Sequence, residues 1–191
     1  VDRAKKMCKL AKNAGADVAK FQHHIVQEEM LREIPMSRNM REPLWDFLSR
    51  NALKIDQHVE IANYCEEIGI EYLCTPFSAA AARELEEFVS PSCYKIGSGE
   101  LLDHPTIEVI ARFGKPLILS TGMSTVEEVD ETYRFCLDLG VELAQHPPQP
   151  PLHAPFHHSH NTHHTHHSTH HIIRLTSLHS TYTLSSILPQ P

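Results

Sequence analysis

Several segments of this chain share one design: an amphipathic helix, a stop that is usually glycine, and a short strand a few residues later. That order is the mark of βα units and a parallel sheet. Ala4, Met7, Cys8 and Ala11 recur at helical spacing, Gly15 ends the helix, and Asp17 to Gln22 reads as a strand. Ile61, Ala62, Cys65 and Ile68 repeat the device before Gly69 and the strand Glu71 to Thr75. Ser78 is placed to cap a helix with Ala81, Ala82, Leu85, Phe88 and Val89 inward, ahead of the strand Cys93 to Gly97. Pro105 suits a first helical turn, Ile107, Ile110 and Ala111 form its stripe, and Gly114-Lys115-Pro116 precedes Leu117 to Ser120. Ser124-Thr125-Val126-Glu127 is a capping-box sequence for a helix with Val126, Val129, Tyr133, Cys136 and Leu137 inward, and Gly140 leads into Val141 to Ala144.

The strands start near positions 17, 71, 93, 117 and 141, so the last three steps are 22, 24 and 24 residues. Short, regular steps favour a (β/α)8 barrel, with the doubly wound sheet as the rival. The first step is long because an extended loop runs from Gln22 to Ile55, on the side of a barrel where active sites are built. A whole barrel needs eight strands and about 250 residues. The expectation is therefore an α/β fold that is a truncated (β/α)8 TIM barrel, with a doubtful ability to fold or act alone.

Composition changes abruptly after residue 144. From Gln145 onward there is no Asp or Glu, Arg174 is the one fixed charge, and 12 of the 16 His and seven of the 13 Pro are found there. Such a segment cannot supply a packed core, so residues 145–191 are expected to be a disordered or non-native tail. His, Thr, Pro and Ser codons can all be read from a CA-rich repeat, which points to a frame shift, an unspliced intron or a gene-model error. The first 144 residues carry 24 acidic against 16 basic residues, a balance that argues against nucleic acid and for a small-molecule ligand. Five cysteines without C-x-x-C spacing read as reduced core residues of a cytoplasmic protein, and no apolar run is long enough to span a membrane.

Polar residues in strands that should be buried are the chemical signal. Lys20 and Gln22 share one face of their strand, and Lys95 poses the same desolvation problem in a later one. Two lysines near one barrel mouth suit a phosphate ester bearing a carboxylate; the alternative is that each pairs with a structural Asp or Glu. Thr75, Ser98 between Gly97 and Gly99, and Ser120 add hydroxyls at successive strand ends, where glycines admit a ligand to backbone N–H groups. His23 and His24 just beyond the first strand read as loop residues rather than metal ligands, because neighbours along an extended chain point apart.

The segments Ala19-Lys20-Phe21-Gln22, Thr75-Pro76-Phe77, Tyr94-Lys95-Ile96-Gly97-Ser98-Gly99-Glu100 and Gly114-Lys115-Pro116 through Leu119-Ser120-Thr121-Gly122-Met123 resemble the N-acetylneuraminate (sialic acid) synthase family over about residues 2–144. The resemblance implies a transferase that condenses phosphoenolpyruvate with N-acetylmannosamine or a related amino sugar and releases phosphate. It implies that Lys20, Thr75, Lys95, Ser98 and Ser120 hold phosphoenolpyruvate and that Gln22 and Glu100 face the sugar. It places this chain at about strands 2 to 5 and the start of strand 6, so that the family's first strand, its metal-binding histidines and its C-terminal antifreeze-like domain fall outside. A divalent metal (Mn²⁺ or Mg²⁺) and a homodimer are expected of the family, the metal's ligands being expected to lie outside this chain. Rival expectations are a non-catalytic ligand- or partner-binding fragment, another phosphoenolpyruvate-condensing barrel of the sugar-phosphate aldolase-like type, and a metal-buffering histidine-rich protein.

Overall fold

A computed structural model of the chain describes residues 1–36, 40–141 and the backbone of 172–174. Four parallel strands, β1 (Val18–His23), β2 (Glu71–Pro76), β3 (Tyr94–Ile96) and β4 (Leu117–Ser120), lie side by side in chain order. The helices are α1 (Asp2–Asn13), α2 (Val26–Glu29), α3 (Leu44–Asn51), α4 (Ile55–Ile68), α5 (Ala79–Phe88), α6 (His104–Ala111) and α7 (Val126–Asp138). α1 packs on α4, α4 on α5, α5 on α6 and α6 on α7, so the long helices form one continuous layer. Strands in unbroken order under a single helical layer are the arrangement of a barrel wall; a doubly wound sheet reverses its order and covers both faces.

The core lies between that layer and the sheet. Tyr72, Cys74, Tyr94, Ile96, Leu117 and Leu119 from the strands meet Ile61, Cys65, Leu85, Ile107, Ile110 and Cys136 from the helices. Burying each of the leucines and isoleucines among them stabilises the fold by roughly 1.5–3 kcal/mol. All five cysteines are buried, and the sulfurs of Cys8 and Cys65 touch at 3.6 Å where α1 crosses α4. Val18, Leu73 and Cys93, with Ile118, form a second small cluster on the opposite face of the sheet. That face corresponds to a barrel interior, apolar toward the strand starts.

Helix ends follow their capping residues. Ser78 Oγ accepts the Ala81 N–H at 3.2 Å at the start of α5, and Asp103 does the same for Thr106 in α6. Gly69 takes a left-handed conformation (φ 70°) that returns the chain from α4 into β2, with Ile70 N–H donating to the Cys65 carbonyl at 2.9 Å. The capping box of α7 is Thr125 with Glu128, one residue later than the sequence suggested. Its inward line accordingly runs through Val129, Thr132 and Cys136, while Val126 and Leu137 are exposed. Thr132 is tolerated there because its hydroxyl donates to the Leu101 carbonyl at 2.9 Å. Phe88, also expected inward, is exposed in the last turn of α5.

Within the segment expected to stand outside the fold, residues Ile172–Arg174 form a strand, β5, antiparallel to β4. The pairing covers a sheet edge that would otherwise present unpaired backbone groups. The remainder of the tail and all but the first residue of the strand expected at 141–144 lie outside the described residues. Among the described residues no helix is long and apolar enough to cross a membrane.

Candidate active site at the strand ends

Side chains alternate along β1, so Lys20 and Gln22 face away from the helices while Ala19, Phe21 and His23 face them. The register puts Gln22 beside Thr75, and Cys74 beside Tyr94 puts Thr75 next to Lys95; Lys95 in turn neighbours Ile118. Lys20, Gln22, Thr75 and Lys95 therefore share the helix-free face. Ser120 ends β4 on the same face, and Ser98 and Glu100 sit in the turn after β3. The seven residues expected to bind phosphoenolpyruvate or sugar thus lie on this face or in the turn that follows its strands.

Neither lysine is neutralised by an ion pair among the described residues, so the pairing alternative is not met. Lys95 Nζ has a 3.5 Å contact to the Ile96 carbonyl. Burial first, and the neighbouring Lys20 charge second, pull Lys95 down to about 8, with Glu100 opposing. Burial also lowers Lys20, again partly offset by Glu100. Glu100 is raised, mainly by burial, with Glu29 adding and Lys95 and His24 opposing. Thr75 Oγ1 is buried with no hydrogen-bond partner among the described residues. Two under-compensated cations and an orphaned hydroxyl on one surface call for an anion with several oxygens. A Cβ on Gly97 would overlap the Glu100 carboxylate as it is placed, so a larger residue there would require that side-chain end to shift.

The long loop after β1 carries α2 and α3 and walls a cavity of about 520 Å³, lined by Gln22, His24, Glu29, Met30, Leu44, Leu48, Phe77, Gly99, Glu100 and Asp103. His24 Nδ1 lies 3.0 Å from both Glu29 carboxylate oxygens, and its ring stacks on Phe77 at 4.2 Å. The reading of both histidines as loop residues needs correction for His23, which is the last residue of β1. Its Nε2 is 3.0 Å from Glu84, and its ring meets His58 edge-on at 4.8 Å on the helix side. The two rings do point apart. His24 was detectable as the third member of the series Lys20, Gln22, His24, whose spacing of two continues one face. Glu29 gave no such signal, because only the fold of the loop brings it there.

Lys115, part of a resemblance-bearing segment, serves the framework instead. Its Nζ contacts Glu86 at 2.5 Å and Ser90 Oγ at 2.7 Å, and Tyr94 donates to the same Glu86 carboxylate at 2.8 Å.

The NeuB family model matches residues 7–182, a span that runs past the compositional break. The human N-acetylneuraminate-9-phosphate synthase is 29% identical over 140 residues, covering 71% of this chain and 39% of that protein. A pseudaminic acid synthase of Campylobacter jejuni is 31% identical over 142 residues, covering 71% of this chain and 40% of its own length. The crystal structure of an N-acetylneuraminic acid synthetase from Leptospira borgpetersenii superposes with a TM-score of 0.63 at 19% identity, covering 72% of this chain and 45% of that one, which supports the partial barrel. The chain thus spans about 40% of the length of these curated relatives.

Proposed function

This chain belongs to the NeuB family, and we propose that it supplies the phosphoenolpyruvate-binding wall, about strands 2 to 5 and the start of strand 6, of a synthase that makes a sialic-acid-type sugar. The observation that carries this reading is the pair of unpaired, half-buried lysines beside the orphaned Thr75 hydroxyl. Phosphoenolpyruvate offers a phosphate and a carboxylate within one small molecule. Lys20 and Lys95 hold these two groups, and Thr75, Ser98 and Ser120 donate hydrogen bonds to their oxygens. Gln22 and Glu100 face the amino sugar. The reaction joins the enol carbon to the open-chain aldehyde of N-acetylmannosamine or a related sugar, and the phosphate leaves with C–O cleavage. The lysines' part is to fix the donor and balance its charge as the bond forms.

Among the described residues no group of three His, Cys, Asp or Glu could hold a metal ion. The described residues thus offer no ligand set for the family's divalent cation. The chain by itself is accordingly proposed to bind without turnover. Five buried free thiols fit a reducing cytoplasm, and a homodimer is the proposed state of the whole protein.

The test is to graft residues 1–141 in place of the matching segment of a full-length family synthase and measure phosphate release. Release that depends on N-acetylmannosamine or a related amino sugar supports the reading. Release with arabinose 5-phosphate alone would move the chain to the sugar-phosphate type of barrel synthase.

A further inference from the structure

Ser98 and Glu100 stand in the turn between β3 and α6. Two backbone bonds shape that turn: Glu100 N–H donates to the Gly97 carbonyl at 3.2 Å, and Asp103 N–H to the Glu100 carbonyl at 3.0 Å. Both are local, and neither fixes the turn against the rest of the fold. Leu101 anchors it through a buried side chain, a contact without direction. Direction comes from α7. Thr132 is fully buried, and its hydroxyl donates to the Leu101 carbonyl at 2.9 Å across 31 residues of sequence. A carbonyl only accepts, so the hydroxyl proton is committed to Leu101. His104 Nε2, 3.3 Å from the same Thr132 oxygen, is then the donor to it, whichever charge the ring carries. Phe135, in the next turn of α7, stacks on the His104 ring at 4.5 Å. One hydroxyl thus holds the residue after Glu100 with one bond and the first residue of α6 with the other.

We infer that Thr132 is a positioning residue of the candidate active site: its two hydrogen bonds fix the turn that presents Ser98 and Glu100. The inference rests on the synthase reading, which assigns Ser98 to phosphoenolpyruvate and Glu100 to the sugar. Thr132 lies on the helix side of the sheet, in the core, and acts only through the turn. Without its hydroxyl the Leu101 carbonyl and the His104 N–H lose their shared partner, and the peptide next to Glu100 is free to rotate toward another acceptor or donor. A hydrogen-bond donor such as Ser98 is sensitive to that, because a misplacement of about 1 Å removes most of its benefit.

The experiment titrates phosphoenolpyruvate by calorimetry into the full chain and its variants, each first shown to be folded by circular dichroism. Thr132→Val keeps the shape and removes both bonds, and is expected to weaken binding by about tenfold; Thr132→Ser, which restores the hydroxyl, is expected to return it to within about twofold of the wild type. In a Ser98→Ala background the Thr132→Val change is expected to cost about twofold at most, because the donor it positions is gone, and a merely structural role would not show that coupling. His104→Phe keeps the stack on Phe135 and removes only the donor; an expected loss of about threefold keeps the inference testable where Thr132→Val does not fold. Nitrogen-15 spectra of the wild type at about pH 8 are expected to show the neutral His104 ring as the Nε2–H tautomer. If phosphoenolpyruvate binds the wild type but binds the folded Thr132→Val or His104→Phe variant equally well, the inference is overturned alone. So it is if Thr132→Ser fails to rescue, if the loss is undiminished in the Ser98→Ala background, or if His104 carries its proton on Nδ1. Absence of phosphoenolpyruvate binding to the wild type overturns it together with the reading beneath it.

Discussion

Replacing Lys95 with Met should make the ligand-free protein more stable while removing its anion affinity. An ordinary lysine titrates near 10.5, and in the fold Lys95 is drawn down to about 8 by burial and by Lys20. A tenfold loss of proton affinity corresponds to about 1.4 kcal/mol, so the protonated ammonium costs about 3 kcal/mol before screening. Lys95 is half-exposed, and solvent screening reduces that to about 1–2 kcal/mol. The unfolded chain holds more protons than the native one between pH 8 and 10.5, so this cost is full below pH 8 and is relieved as pH rises through that window. Urea denaturation at pH 7 should show Lys95→Met about 1–2 kcal/mol more stable than the wild type, the gap narrowing by pH 9.5. Phosphoenolpyruvate at a hundredfold excess over its dissociation constant should stabilise the wild type by about 2.7 kcal/mol and the variant by almost nothing. A variant less stable at pH 7, or a gap indifferent to pH, would refute the charge argument.

His58, held down to about 3 by burial and then by His23 and His24, stays neutral in the fold while the unfolded chain protonates below about 6.5. Stability is therefore complete above that value and falls as pH falls. About 2 kcal/mol should be lost between pH 7 and 5 in urea titrations, and His58→Asn should lose correspondingly less. Thr75→Val should leave melting unchanged or raise it, since the hydroxyl has no partner among the described residues, while phosphoenolpyruvate affinity measured by calorimetry drops several-fold. Ser78→Ala, which removes the α5 cap, should cost about 1 kcal/mol in the same denaturation assay without altering phosphoenolpyruvate binding.

The barrel wall was legible because period-two and period-3.6 patterns report faces directly, and Lys20, Gln22, Thr75 and Lys95 share one as alternation requires. Helix ends were less legible. Val126 belongs to the first turn of α7, where the chain has only just left the loop, and Thr132 lies inward because Leu101 offers a carbonyl that no local pattern reveals. The loop after β1 read as an extended insertion on the active-site side with no elements of its own, and α2 and α3 within it bring Glu29, Leu44 and Leu48 to the cavity through contacts distant in sequence. Lys115 illustrates the converse: its place in a motif said nothing of its partners Glu86 and Ser90.

The most direct measurement is calorimetric titration of phosphoenolpyruvate into the wild-type chain and its Lys95→Ala variant, with circular dichroism establishing that both are folded. Saturable binding by the wild type and none by the variant is the predicted result; two folded proteins with equal affinity, or with none, would contradict the assignment of this face to the donor.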